Sequence, residues 1–467
     1  MQLGYLVLVV SLSAYLLLDR AYDDPFITYR YADNLRHRLG FVYNPGQRIL
    51  STTTPLYTLL LAVLGHIWTD LPQLSNLLSA INTAVSGLLL FHLGRGQDAP
   101  LSGMTGALLF PCFPLILRTF GSEICFYITW VLAAFLLYIH KHPLWAMLPA
   151  ALVTLTRADG VLVVSILGLD TLLRERRFPL RMALLYGAFI APWYLFSWFY
   201  FGSPVPVTLM AKQHQATMAI SEGFARGFLT ILAPYLHKPL YWLHGGLFTV
   251  GLIYAIKHPQ WRCLLGWGSL YFLSYTLLGV SRYFWYYAPL VPVITIVIGL
   301  GIQRLNEQLL IRRWATWQRW SLLVFLLTLM LLPQIQEVRQ LSLHNDPRFR
   351  VYRATGRWLA AHTPKTASVG TLEVGIIGYY AQRPMIDFAG LLQPEVSLQM
   401  QRETTYQDTA IWAVRRYSPD YLVLNPEWFP RLMDEMVTDA CIAERAFSAP
   451  DYPGILQVYR CHWINVE

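Results

Sequence analysis

Apolar stretches recur along the chain with short polar connections between them. They are Leu3–Leu18, Leu74–Leu93, Leu101–Leu117, Ile124–Ile139, Leu144–Leu155, Val161–Leu173, Met182–Phe201, Leu247–Ile256, Leu264–Leu278, Trp285–Ile302 and Ser321–Leu332. A helix that crosses a bilayer needs about 20 apolar residues. The shorter stretches are therefore predicted to be extended by flanking aromatics or to lie buried among neighbours. Pro55–Trp68 has the length of a re-entrant or interfacial helix. Leu3–Leu18 has no basic segment before it and no small-residue cleavage site after it, so it is expected to be a retained first span. Beyond Asp346 the pattern changes. A helix-like Val351–His362 is followed by strand-like runs at Ser368–Leu372, Pro384–Phe388, Tyr421–Leu424, Cys441–Phe447 and Gly454–Tyr459. Alternating helix and strand signals predict a small α/β domain.

The expected fold is mainly α: a polytopic membrane protein of about 11 transmembrane helices with a C-terminal α/β domain outside the membrane. Residues 1–336 are assigned to the membrane module, with a first outer loop at 19–72 and a long outer connection at 202–246. Residues 337–467 are assigned to the α/β domain.

Composition agrees. Charged residues make up 13% of the 467, against about 25% in a soluble domain. The 14% aromatic content suits interfacial belts and sugar-stacking surfaces; for any single ring, belt or core packing is the plainer reading. A formal charge of +9 would suit nucleic acid, but the arginines gather in short connections between spans, a pattern of membrane orientation that excludes nucleic-acid binding. Arg174, Arg176, Arg177 and Arg181 crowd one connection, and Arg304, Arg312, Arg313 and Arg319 another. Both are expected on the cytoplasmic face of the plasma membrane, so the last span carries the tail to the outer side. If Pro55–Trp68 does not cross, the loop behind the first span shares that side. Its own arginines (Arg20, Arg30, Arg36, Arg38 and Arg48) argue the other way unless they serve a lipid phosphate. The 5 cysteines show no CxxC or metal spacing. Cys112, Cys125 and Cys263 read as packing residues, whereas Cys441 and Cys461 can pair if the tail is outside the cytosol.

The densest chemistry lies in Ala21–Leu61. Asp23 and Asp24 are adjacent carboxylates close to lipid, and such groups usually mark chemistry or transport. A positioned carboxylate can take the proton of an attacking hydroxyl, and a second can orient it or help bind a metal. The same two residues also fit an ordinary helix start, an N-cap followed by Pro25. Residue type alone does not separate the two readings.

The run DDPFITYRYADNL, then GFVYNPGQ, then TPLY, resembles the first outer loop of the polytopic GT-C glycosyltransferases. It is most similar to the branch holding the actinobacterial terminal arabinofuranosyltransferases and related mannosyltransferase-like enzymes. The resemblance continues in order through GSEICFYITW from Gly121, LTRADG from Leu155, FGSPVPVTLMAK ending at Lys212, SRYFWYYAPLVP around Arg282 and Gly378–Val396. It implies a GT-C fold and an inverting transfer on the outer face. Sugar would pass from a polyprenyl-phosphate donor to a glycan, lipid or protein acceptor. Asp23 and Asp24 would be the catalytic acids, with Asp23 favoured as base. Ser51-Thr52-Thr53-Thr54 stands where relatives often carry Gly-Tyr-Thr-Asn, Ala158 replaces a Pro, and Val207-Thr208 replaces Asn-Thr. These departures leave the sugar open, arabinofuranose-like or mannose-like.

The leaving phosphate gains negative charge, which preorganised cations stabilise. Arg157, Arg282 and Lys212 fall at predicted outer ends of spans and Arg30 lies in the acidic loop, making these the candidate donor-phosphate ligands. Each also fits a snorkelling anchor or an ion-pair partner, and Arg30 in particular a partner for Asp33 or Asp24. Glu123 is a candidate for positioning the acceptor, or simply an acid at a helix start. Tyr29, Tyr283 and Glu373 complete the expected substrate-binding set, while Asp387, before Gly390, reads as a turn cap. His214, His237 and His244 lack zinc-ligand spacing and read as interfacial. If the reaction uses a divalent cation (Mg, Mn or Ca), Asp23 and Asp24 would hold it; no other cofactor is implied. The expected partners are the lipid-linked donor, the acceptor and the bilayer. The rival reading is a transporter or flippase for the same lipid, which predicts inverted repeats and broken mid-membrane helices, and neither is visible in the sequence. A third reading is a non-catalytic membrane scaffold.

Overall fold

The computed structural model describes residues 2–308, 315–343 and 346–463; Arg312 and Arg313 of the second basic connection lie outside them. Every expected span falls on helix, though not always with the expected bounds. Six described segments are long and apolar enough to cross a membrane by length and composition. They include Leu71–Gly96, Leu180–Phe201 and Pro239–Lys257, the last beginning well before the expected Leu247 because Leu240–Leu243 continues the helix. Gln2–Leu17, Ile124–Ile139 and Met147–Thr156 are shorter apolar helices. Proline sets one break. Helix Pro100–Leu109 gives way to a 3-10 turn at Phe110–Cys112 and then a short helix Pro114–Arg118, because Pro111 and Pro114 offer no backbone N–H. The final long helix, Thr316–Leu343, runs through the expected boundary at Glu337.

The loop behind the first span folds into two helices, Pro25–Arg36 and Pro55–Leu64. The second has 10 residues, so it is about 15 Å long and covers half of a bilayer core of roughly 30 Å. It does not cross. Consistent with this, the loop and the C-terminal domain share one hydrophobic core. Phe26, Tyr29, Tyr31, Phe41, Tyr43 and Tyr57 from the loop pack in the same cluster as Val369, Ile376, Met385, Val423 and Val458. The acidic loop and the tail therefore lie on the same side of the helical module.

The five strand-like runs are five strands: β1 Val369–Thr371, β2 Met385–Asp387, β3 Tyr421–Leu424, β4 Cys441–Phe447 and β5 Leu456–Cys461. They form one sheet in the order β2-β1-β3-β5-β4, parallel across β2, β1 and β3 and antiparallel from β3 outward. β3 is buried on both faces, Tyr421 and Val423 in the core shared with the loop, Leu422 and Leu424 in a second core. This explains its unbroken apolar run. Helix Tyr406–Tyr417 crosses from β2 to β3 and starts with a capping box of Thr405 and Asp408. Cys441 and Cys461 sit opposite each other on β4 and β5 and are joined by a disulfide.

Candidate active site

A cavity of about 1800 Å³ opens between the helical module and the C-terminal domain. Its apolar wall comes from Phe228, Ile231, Leu232, Phe248, Ile294 and Ile298, all on helices of the membrane module. Its polar end is formed by Asp23, Asp24, Lys212, Arg282, Tyr283 and Glu373. A second, polar pocket of about 40 Å³ lies behind Asp24, bounded by Thr28, Thr53, Thr54, Ser122, Glu123, Arg157 and Trp285. Asp24 borders both spaces.

The two adjacent aspartates have separated roles. Asp24 stands at the N-cap of helix Pro25–Arg36, but in a helical conformation (φ −54°, ψ −44°) in which its side chain caps nothing. An N-cap normally needs extended dihedrals to reach the N2 or N3 amide, and Pro25 at the next position has no amide to offer. The Asp24 carboxylate is thus left facing the cavities, 42% exposed, with Lys212 Nζ 4.0 Å from Oδ1. Asp23 points the other way. Its Oδ2 accepts from the Gly375 amide at 2.9 Å and its Oδ1 from the Ile376 amide at 2.8 Å. Those amides belong to the first turn of helix Gly375–Ala381, whose dipole favours an acid there. Burial, and next the charge of Glu373, hold the Asp23 carboxyl well above the usual range. Burial raises Glu373 as well, although Arg348 pairs with it at 3.0 Å.

The expected cations divide three ways. Lys212 lies over the Tyr283 ring at 3.8 Å and beside Trp285 at 5.9 Å. Arg282 lines the same cavity and pairs with Glu222 at 2.9 Å. Arg157 borders only the small pocket. It is held by Glu123 at 2.6 Å, Asp159 at 3.0 Å and the Tyr275 hydroxyl at 2.8 Å. Arg30 borders neither space, and its expected role as a phosphate ligand has to be revised. The guanidinium is buried and donates to the carbonyls of Tyr43, Gly378 and Arg383 while stacking on the Tyr43 ring. It rivets the loop to the C-terminal domain. Tyr29 is likewise buried, its hydroxyl donating to the Gly121 carbonyl, away from both cavities. Asp387 caps a turn as its position before Gly390 predicts, accepting from the amides of Ala389, Leu391 and Leu392.

Of the rings that wall the site, the sequence singles out Tyr283 but not Tyr22 or Trp285. Tyr22 stacks on Trp285 at 5.7 Å and Trp285 on Tyr283 at 4.6 Å, a continuous aromatic face next to Lys212 and Asp24. The one available signal was the run Tyr283-Phe284-Trp285-Tyr286 directly after Arg282. It also missed the hydroxyl cluster of Thr28, Thr52 and Thr54, linked at 3.1 to 3.5 Å. Among the described residues no group of three or more His, Cys, Asp or Glu is arranged to hold a metal ion. Each Asp23 oxygen accepts one amide proton.

Residues 336–461 match a family described as a domain of unknown function, DUF8728. No curated protein matches the chain. Among solved structures, the chain is similar to ArnT from Cupriavidus metallidurans bound to undecaprenyl phosphate. That similarity spans 98% of this chain and 97% of that one, with a TM-score of 0.62 and 14% identity. It is also similar to the archaeal oligosaccharyltransferase AglB from Archaeoglobus fulgidus in complex with an inhibitory peptide and a dolichol-phosphate, over 91% of this chain and 69% of that one (TM-score 0.59, 15% identity). A complex of the Archaeoglobus fulgidus oligosaccharyltransferase with zinc and sulfate matches over 91% and 68%, with a TM-score of 0.59 and 13% identity. These likenesses bear on the fold alone, a polytopic and mainly helical membrane protein with a C-terminal α/β domain.

Proposed function

We propose that this protein is a glycosyltransferase that moves a sugar from a polyprenyl-phosphate donor to an acceptor hydroxyl, with Asp24 as general base. One observation carries the reading. Asp24 is a carboxylate without a capping bond, set where a large apolar-walled cavity meets a polar pocket, with Lys212 4.0 Å away. The acceptor oxygen attacks the anomeric carbon as its proton passes to Asp24, and the bond from that carbon to the phosphate oxygen breaks, inverting the centre. Lys212 and Arg282 offset the charge gained by the departing phosphate. The prenyl chain lies along Phe228, Ile231, Leu232 and Phe248, and the aromatic face of Tyr22, Trp285 and Tyr283 packs on the sugar. Asp23 acts indirectly, by docking the C-terminal domain over the site. Arg157 and Glu123 shape the small pocket behind Asp24.

Structures of similar fold were solved with undecaprenyl phosphate and with a dolichol-phosphate, which supports a polyprenyl donor. The sequence motifs favour an arabinofuranose-like or mannose-like sugar and a glycan, lipid or protein acceptor. The Cys441–Cys461 disulfide supports an extracytoplasmic location for residues 337–467 and for the site beside them, because such bonds persist in oxidising compartments. A resident divalent cation fits this donor set poorly. Asp24 and Glu123 share the small pocket with the Arg157 guanidinium, and Asp23 is engaged elsewhere.

The test is incubation of the purified protein in lipid nanodiscs with labelled polyprenyl-phosphate sugars and a glycan acceptor. Transfer of label with release of free polyprenyl phosphate is the expected result. Movement of the intact lipid-linked sugar across vesicles without bond cleavage would instead support the transporter reading.

A further inference from the structure

The small polar pocket behind Asp24 is lined by groups of two kinds, some matched within the chain and some open. Thr28 and Thr54 on its wall bond each other at 3.1 Å, and Thr52 joins them at 3.5 and 3.2 Å. Thr53 lines the same space, yet its hydroxyl has no partner among the described residues. Glu123 gives Oε1 to Arg157 at 2.6 Å and has no other side-chain partner among them. Arg157 is held in turn by Asp159 and the Tyr275 hydroxyl, which fixes the Glu123 carboxylate in place. Size and charge then limit what can enter. The pocket's volume of about 40 Å³ admits roughly three water-sized groups, enough for one hydroxyl on its carbon and too little for a sugar ring. Its two carboxylates each face a cation already, Glu123 with Arg157 and Asp24 with Lys212. The pocket therefore suits a neutral group that both donates and accepts, which is what a hydroxyl does.

We infer that this pocket is an acceptor subsite: it takes the hydroxyl next to the one that attacks, which donates to Glu123 and accepts from Thr53. The inference rests on the glycosyltransferase reading and narrows its acceptor to a molecule with hydroxyls on adjacent carbons. A sugar unit meets that condition, whereas a serine or threonine side chain does not. The acceptor is favoured over the donor because an inverting displacement sets the attacking oxygen opposite the leaving phosphate. Lys212 and Arg282, the cations for that phosphate, border the large cavity and do not line this pocket. Asp24 borders both spaces, so a hydroxyl poised on it has its neighbour beside the pocket.

The experiment measures transfer by the full-length protein in lipid nanodiscs, with labelled polyprenyl-phosphate arabinofuranose and mannose as donors. The acceptors are octyl arabinofuranoside, octyl mannopyranoside and the monodeoxy analogues of each. Loss of the hydroxyl next to the glycosylated position is expected to raise KM about tenfold or more, because Glu123 and Thr53 are then left unpaired. Thr53→Val and Glu123→Gln should raise KM for the parent acceptor several-fold and leave KM for that deoxy analogue unchanged, since its partner group is already missing. Thr53 is exposed and unbonded, so a folding defect does not account for the effect of Thr53→Val. Equal KM values for the parent and every deoxy analogue would overturn the subsite and leave the enzymatic reading standing. So would a Thr53→Val effect of the same size on parent and analogue. A preference among deoxy donors that Thr53→Val abolishes would place the donor sugar in the pocket and overturn the assignment to the acceptor. No transfer from either donor to either acceptor would overturn both readings.

Discussion

The carboxylate of Asp23 accepts the backbone amide of Gly375 at 2.9 Å, joining the first loop to the C-terminal domain. The approach is so close that a Cβ at position 375 would collide with the Asp23 carbonyl oxygen and carboxylate. Gly375→Ala must push the domain away from the loop. The expected loss is about 1–3 kcal/mol, the usual range for forced overpacking. Thermal unfolding of the purified protein checks it, and an unshifted midpoint would show that the contact is not held in solution.

Arg30 tests the same interface from the other side. Its guanidinium donates to the carbonyls of Tyr43, Gly378 and Arg383. Arg30→Met is expected to destabilise the protein by about 3 kcal/mol or more, since several charge-assisted bonds to buried carbonyls are lost together. The KM for the donor should stay within about twofold of wild type once the protein is folded. A KM that rises strongly with unchanged stability would restore Arg30 to the phosphate site.

The disulfide between Cys441 and Cys461 closes a loop with a sequence separation of 20. Loops of that size contribute roughly 3 kcal/mol by restricting the unfolded chain. Cys441→Ser with Cys461→Ser, or reduction with a thiol, is expected to lower the unfolding midpoint by several degrees. The check is a melt with and without reductant, and an identical pair of curves would refute it.

Stability should also depend on pH through Asp387. Burial pushes this carboxyl up to about 7, against the three amide bonds from Ala389, Leu391 and Leu392 that favour its charged form. Its unfolded value is near 3.9. Between those values the folded chain holds a proton that the unfolded chain has released, so stability falls as pH rises. The contribution is full below about pH 4 and lost as pH passes through 7. Melting midpoints should drop from pH 5 to pH 8 in the wild type, and Asp387→Asn, which stays neutral, should flatten that slope. A slope unchanged by the substitution would contradict the assignment.

Much of the fold was legible along the chain because its signals are local. Tyr421–Leu424 reads as a strand from its apolar, β-rich run, and Pro55–Leu64 is short for a bilayer span. The site was legible only in part. The loop with two acids stood out, but which acid stays free depends on the dihedrals before Pro25 and on the amides of Gly375 and Ile376, which lie far away in sequence. Arg30 and Arg157 carry the same charge as Lys212, and nothing local shows that carbonyls satisfy one and carboxylates neutralise another.

The most direct measurement compares Asp24→Asn with Asp23→Asn in a sugar-transfer assay with polyprenyl-phosphate donor. A general base contributes typically 10²–10⁴-fold, so Asp24→Asn should lose at least about a hundredfold in kcat with its unfolding midpoint unchanged. Asp23→Asn should lower the midpoint and retain most of its turnover at temperatures where it is folded. Full turnover in Asp24→Asn, or a stable but inactive Asp23→Asn, would contradict the account.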